Sequence, residues 1–158
     1  MQRRRYPGGR MIAPDKANAI IQDLDVAPEQ GVAFRRKAMQ ALSQLPGYDW
    51  SGVYRLDGDG LVLDEFVGEP TDHTQIPVGL GVCGTAVKEH RNQIVKDVRD
   101  LDNYLSCSVD TRSEIVVLIR QGTEVLGQID IDGHQVGSFD VSDEHFLVRI
   151  ADLIAERW

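Results

Sequence analysis

The composition of this chain is that of one ordinary globular domain. Its 158 residues are 42% hydrophobic and 27% charged, which is neither a disordered nor a fibrous profile. No apolar run approaches the ~20 residues of a membrane-spanning helix. Seventeen basic and 25 acidic residues give a formal net charge of −8. A surface this acidic disfavours phosphate backbones, so we expect neither nucleic acid nor membrane as a partner.

The first residues are basic and lack the apolar segment of a secretory signal. We therefore predict a disordered basic tail over residues 1–12, with Met11 as an alternative start, and a single domain over residues 13–158. Two cysteines without a secretory signal indicate a reducing cytoplasm, where a disulfide forms only transiently.

Two segments have apolar residues at helical spacing. The first begins at Pro28 and ends at Pro46-Gly47; its apolar positions are Phe34, Ala38, Ala41, Leu42 and Leu45. The second starts with Ser142 as its cap and has two acids in its first turn, where the helix dipole favours them. Its stripe comprises Phe146, Leu147, Ile150, Leu153 and Ile154. These apolar stripes also suggest a homodimer through the terminal helices.

Between these helices the pattern predicts antiparallel strands rather than alternating βαβ units. Antiparallel strands with helices gathered at the chain termini indicate an α+β sandwich. The expected elements are a strand at 49–56, a turn at 57–60, a strand at 61–67, a loop at 68–81, a short helix at 84–90, a strand at 92–95 and a hairpin of 113–120 with 123–132.

The hairpin determines where polar side chains lie. A three-residue loop at 120–122, with Gly122 left-handed, pairs Ile119 with Thr123, whereas a two-residue Gln-Gly turn puts Glu114 on the wrong side. Alternation then gives an apolar face of Ser113, Ile115, Val117, Ile119, Val125, Gly127, Ile129 and Ile131. The opposite face carries Glu114, Val116, Leu118, Leu126, Gln128, Asp130 and Asp132. Three carboxylates and one amide on that face predict a pocket.

Both cysteines have surroundings that suit sulfur chemistry. Cys83 lies in GLGVCGTA, residues 79–86, just before the short helix, whose exposed amides favour a thiolate. A small buried core residue is an equally good reading of Cys83. Cys107 lies in the polar segment YLSCSVDTRSE, residues 104–114. No metal-ligand spacing is present, and the GxGxxG letters at 79–84 lack a βαβ context, so we expect no metal and no cofactor.

Several further motifs stand out along the chain: YDW at 48–50, Tyr54, IP at 76–77 through GVCGTA at 81–86, DV at 97–98, Cys107, SEIVV at 113–117 and GQIDID at 127–132. They resemble the motifs of the GAF domain and, within it, of the free methionine-(R)-sulfoxide reductases. The family carries a further resolving cysteine at the position of His73, and a different sequence around the nucleophile than NYLSCS at 103–108.

The resemblance implies a GAF-like antiparallel sheet, with the terminal helices on one face and the ligand pocket on the other. It implies Cys107 as nucleophile and Cys83 as resolving thiol. It also implies a substrate site formed by Glu114, Asp130, Asp132, Trp50 and Tyr54. The implied activity is thiol-dependent reduction of free methionine-(R)-sulfoxide, with a thioredoxin-type reductant. The alternatives are a non-catalytic GAF module that binds a small amino-acid-like ligand, and a redox sensor that uses the same thiols.

Overall fold

The structure is a computed structural model that describes residues 12–102, 104 and 109–158. Residues 1–11 and Cys107 lie outside the described residues. Three statements therefore stay predictions: the basic tail, the domain boundary at residue 13 and the placement of Cys107.

One six-stranded sheet forms the centre of the molecule, and each pair of neighbouring strands is antiparallel. The strand order is β3-β2-β1-β6-β5-β4, which makes β6 a central strand flanked by β1 and β5. The third strand lies inside the segment that was predicted to be a loop. It was not predicted as a strand because three residues are too few to show a periodic pattern. The strands are β1 Trp50–Asp57, β2 Gly60–Val67, β3 Gln75–Pro77, β4 Gln93–Val95, β5 Ser113–Gln121 and β6 Glu124–Gly133.

Four α-helices accompany the sheet: α1 Pro14–Asp25, α2 Gly31–Leu42, α3 Gly81–Glu89 and α4 Val141–Glu156. The sequence analysis did not identify α1. The prediction that Ser142 caps the last helix was wrong, because Asp140 is the cap and accepts hydrogen bonds from the backbone amides of Ser142 and Asp143. Among the described residues, no helix has both the length and the apolar character needed to cross a membrane.

The tip of the β5–β6 hairpin differs from the predicted loop. Gln121 pairs with Glu124, so the turn contains two residues rather than three. Ile119 pairs with Gly127 and Arg120 with Val125, so a bulge with one extra residue on β6 lies between these two pairs. Gly122 is left-handed as predicted, with φ of 63°. The bulge exchanges two side chains: Val125 joins the pocket face, and Leu126 packs with the helices. Beyond the bulge the predicted faces are confirmed.

Each face of the sheet has its own apolar cluster. Helices α2 and α4 pack on the central strands of one face, and α1 packs on both helices. On the other face α3 packs against β3, β5 and β6. The α+β class, with terminal helices on one face of an antiparallel sheet, is therefore confirmed, and among the described helices α3 alone packs on the second face.

Candidate functional site

The strand register brings the predicted carboxylates together. Asp132 on β6 pairs with Trp50 on one side and with Glu114 on the other. Two residues earlier on β6, and on the same face, Asp130 pairs with Gly52 and Val116. Glu114, Asp130 and Asp132 are only 2%, 1% and 1% exposed. Three acidic side chains buried on one sheet face are rare in a structural core, because each loses hydration.

A thiol lies directly against this cluster. Cys83 occupies the first turn of α3, which begins three residues earlier than predicted, so the residue lies within the helix rather than before it. Its Sγ donates a hydrogen bond to Glu114 Oε1 at 3.8 Å. The ligand atoms of Cys83, Glu114 and Asp130 all lie within 4.8 Å of one another. The thiol is only 4% exposed, yet it faces carboxylates rather than the helix-side core.

Burial raises the pKa of Glu114 well above its usual value, and the neighbouring charges of Asp130 and Asp132 raise it further. The hydrogen bond from Cys83 acts in the opposite direction. The net shift in pKa favours the protonated form of Glu114. A protonated carboxyl beside ionised ones is an arrangement that general acid catalysis uses.

Trp50 forms a wall next to the carboxylates. Its side chain extends over Gly52, the strand neighbour of Asp130, and a Cβ at Gly52 would lie only 2.5 Å from Trp50 Cζ3. Phe66 stacks on the indole with ring centroids 5.7 Å apart. The indole Nε1 donates to the carbonyl of Glu69 at 3.0 Å. These contacts fix the ring in one orientation, and a glycine within a strand is the sequence signal for such a close approach.

Tyr54 lies on β1, two residues beyond Gly52 and on the same face, and belongs to the same apolar cluster as Trp50 and Cys83. It is fully buried, and its hydroxyl donates to the backbone carbonyl of His73 at 2.9 Å. The described contacts thus connect Tyr54 to the loop before β3. His73 is the residue at which the resemblance predicts the family's additional cysteine.

The sequence analysis missed two polar residues beside the acids. Thr111 is 3% exposed, and its hydroxyl donates to Asp132 Oδ2 at 3.5 Å. Burial raises the pKa of the Tyr104 phenol, and the adjacent charges of Glu114, Asp132 and Asp130 add to this effect. Both residues precede β5 in an irregular segment, where no strand pattern indicates a direction for the side chain.

Gln128 is the amide predicted to share the pocket face. It is fully buried between Tyr54 and Leu118, and neither its Nε2 nor its Oε1 has a hydrogen-bond partner among the described residues. The site therefore contains a thiol, three carboxylates, an aromatic wall and an amide available to a ligand. Within the described part of the chain, Cys83, Glu114 and Asp130 form the group with spacing suitable for a metal ion.

Comparison with known families identifies this architecture. The GAF domain model matches residues 33–158, and the chain therefore belongs to the GAF domain family. The match begins in α2 and runs through α4, so it contains every strand of the sheet and the whole candidate site.

Individual relatives confirm the resemblance noted from the motifs. The chain is 33% identical over 135 residues to GAF domain-containing protein A of Dictyostelium discoideum, with 85% of each chain covered. It is 38% identical over 107 residues to free methionine-R-sulfoxide reductase of Escherichia coli strain K12, covering 68% of this chain and 64% of that protein. The X-ray structure of free methionine-R-sulfoxide reductase from Neisseria meningitidis in complex with its substrate matches with a TM-score of 0.82 and 30% identity, over 96% of this chain and 95% of that one.

Proposed function

We propose that this protein reduces free L-methionine-(R)-sulfoxide to methionine. The observation that carries this proposal is the convergence of the buried acids Glu114, Asp130 and Asp132 around one thiol. Buried like charges lower stability unless a ligand compensates them, and a free amino acid has an ammonium group with which to do so. The similarity to named free methionine-R-sulfoxide reductases, one of them in complex with its substrate, supports the same choice.

In the proposed reaction Cys107 attacks the sulfoxide sulfur. Oxygen passes from the substrate to the enzyme, so the thiol becomes a sulfenic acid and the sulfoxide becomes a thioether. The two-electron oxidation of one sulfur balances the reduction of the other. The departing oxygen needs a proton, and the raised pKa of Glu114 makes that residue the proposed acid.

Cys83 is the proposed resolving thiol. Its sulfur condenses with the Cys107 sulfenic acid, which releases one water and forms a disulfide that an external dithiol reopens. The contact of Cys83 Sγ with Glu114 supports this role, since it directs the thiol into the site. The step requires Cα atoms roughly 4.4–6.8 Å apart in the reacting conformation.

The remaining predicted residues have binding roles in this proposal. Asp130 and Asp132 hold the amino acid, and Trp50 provides the apolar surface for the methyl group of the sulfoxide. Tyr54 acts through its hydrogen bond to the carbonyl of His73, which fixes the loop at the edge of the site. In the proposal this tyrosine is a positioning residue.

The physiological setting belongs to the proposal as well. A thioredoxin-type dithiol reopens the disulfide, and the reaction needs no cofactor beyond this reductant. A reducing cytoplasm suits such a cycle. We also propose a homodimer through the terminal helices; size-exclusion chromatography with light scattering will distinguish it from a monomer.

The test supplies purified full-length protein with the separated R and S epimers of free methionine sulfoxide and with dithiothreitol. We expect methionine to form from the R epimer alone, and Cys107→Ser to abolish turnover. Cys83→Ser should stop turnover driven by thioredoxin and leave turnover driven by dithiothreitol. Glu89→Gln, which removes an exposed carboxylate outside the site, serves as the control.

A ligand that binds without being consumed would favour the non-catalytic GAF module instead. The replacement of the family's additional cysteine by His73 is the feature that supports this second function. Isothermal titration with methionine sulfoxide, in the same buffer as the turnover assay, separates the two outcomes.

A further inference from the structure

The acidic pocket also has the geometry of a metal centre. Cys83 Sγ, a carboxylate oxygen of Glu114 and one of Asp130 lie within 4.8 Å of one another, and all three residues are buried. We propose that these three side chains bind a single thiophilic divalent cation of the Zn²⁺ class. The spacing of cysteines and histidines along the chain gives no hint of this site, because its ligands come from α3, β5 and β6.

The distance between the Cys83 and Glu114 ligand atoms agrees with tetrahedral coordination. A zinc ion binds thiolate sulfur at about 2.3 Å and carboxylate oxygen at about 2.1 Å, which separates the two ligand atoms by roughly 3.6 Å. The observed distance from Cys83 Sγ to Glu114 Oε1 is 3.8 Å. The bond lengths therefore require only a small movement of these side chains.

The donor set selects the kind of cation. Two carboxylates and a thiolate together carry three negative charges, and a divalent ion neutralises most of that charge within the buried site. The thiolate favours zinc or cadmium over magnesium or calcium, which prefer oxygen donors alone. Three protein ligands leave a fourth position open to water.

A buried amide on the same face independently indicates that the pocket takes a ligand. Gln128, two residues before Asp130 on β6, lacks hydrogen-bond partners for both amide atoms in the described part of the chain. A buried polar group without a partner destabilises the fold, and we expect the water on a coordinated ion to supply one.

The consequence for activity rests on the proposed function. If Asp130 holds the amino-acid substrate and Glu114 protonates its departing oxygen, the cation and the substrate exclude each other. The ion then acts as a competitive inhibitor that also withholds Cys83 from disulfide formation. The metal site itself does not depend on the reductase activity.

The test starts from protein freed of metal by a chelator and kept reduced by a phosphine. Cadmium is the optical probe, because thiolate ligation produces an ultraviolet charge-transfer band; zinc is titrated by calorimetry. We expect one ion per chain and a band of equal intensity in wild type and Cys107→Ser. The chain has two cysteines, so a band in Cys107→Ser identifies Cys83 even if Cys83→Ser fails to fold.

Carboxylate ligands are tested separately. Glu114→Gln and Asp130→Asn should each weaken zinc binding by more than about 100-fold. Loss of a residue that only hydrogen-bonds to a metal ligand already lowers metal affinity roughly 10- to 100-fold, and these two residues are ligands themselves. The matched control Glu89→Gln should keep wild-type affinity. Circular dichroism establishes that each variant is folded before titration.

The outcomes are decisive in either direction. Absence of the band from Cys107→Ser, or unchanged zinc affinity in both Glu114→Gln and Asp130→Asn, would overturn the site. Free methionine-(R)-sulfoxide should raise the apparent Kd for zinc in Cys107→Ser, and no shift would overturn the competition. Turnover assays with chelator present test the reductase alone, so either proposal can fail while the other stands.

Discussion

The two faces of the sheet are buried to the same degree but have opposite chemistry. On β6 the consecutive residues Ile129, Asp130, Ile131 and Asp132 are all at most 1% exposed. The isoleucines meet the terminal helices, whereas the aspartates lie on the face under α3. One strand therefore supplies both a hydrophobic core and an acidic site.

This difference separates stability from chemistry. Burial of an isoleucine side chain contributes about 1.5–3 kcal/mol, whereas burial of adjacent carboxylates lowers stability unless partners compensate their charge. The helix-covered face thus stabilises the fold, whereas the three carboxylates on the other face lower stability while they provide the proposed binding groups. Substitutions in the helix-side core should mainly change the free energy of unfolding, whereas substitutions of the buried acids should mainly change turnover.

The largest expected effect is on turnover, in Glu114→Gln. Loss of a general acid lowers kcat by roughly 100- to 10,000-fold. The free energy of unfolding at pH 7 should rise, because the amide keeps the shape of the side chain without an ionisable group beside Asp130 and Asp132. Steady-state kinetics and urea unfolding measure the two. Retained turnover in this variant would remove Glu114 from the mechanism.

The opposite face should give the opposite result. Ile150 on α4 is fully buried in the helix-side cluster. Its replacement by alanine should lower the free energy of unfolding by about 2–5 kcal/mol, with little change in kcat per folded molecule. If Ile150→Ala instead lowers kcat as strongly as Glu114→Gln, the two faces are not functionally separate.

Gly52→Ala tests the wall of the site. Its new Cβ would overlap the Trp50 indole, and Phe66 restrains that ring from the other side. We expect a loss of about 1–3 kcal/mol in stability and a higher KM with a smaller change in kcat. Gly60→Ala is the matched control, since a Cβ there meets nothing closer than 3.8 Å. Similar KM values in both variants would argue against a role for Trp50.

The smallest expected effect concerns pH and lies on the helix side. Asp143 accepts a hydrogen bond from Tyr48 at 2.8 Å, and burial raises the pKa of this carboxyl from 3.8 to about 6. A raised folded-state pKa means that protonation stabilises the fold, so this contribution is complete below pH 3.8 and disappears as pH rises through 6.

Wild type should therefore gain about 2 kcal/mol over Asp143→Asn between pH 7 and pH 4. Urea unfolding of both proteins across this range measures the difference in their free energies of unfolding. Glu114 is present in both proteins, so its own pH-dependent contribution cancels in that difference. Parallel curves for the two proteins would show that Asp143 titrates normally.

The sequence predicted the arrangement of the sheet faces because successive side chains of β5 and β6 point to opposite faces on the near side of the bulge. Ile115, Val117 and Ile131 lie where the pattern indicated, and so do Glu114 and Asp130. The positions of Val125 and Leu126 were reversed, because the bulge depends on backbone geometry at the hairpin tip rather than on hydrophobic pattern.

Other features of the site could not be predicted from local sequence. Thr111 reaches Asp132 from an irregular segment, and Tyr54 bonds a carbonyl 19 residues away. The contact between Cys83 and Glu114 joins residues 31 apart in the chain. Such pairs depend on how α3 covers the sheet, which is a tertiary property without a periodic signature.

The alternation along β6 has a practical consequence for protein engineering. Under the proposed function, even-numbered positions 128, 130 and 132 are the ones to exchange when a different ligand is sought, while the odd-numbered neighbours that secure the scaffold stay untouched. Deleting Leu126 would remove the extra bulge residue and bring the pairs Ile119–Gly127 and Arg120–Val125 into one continuous alignment.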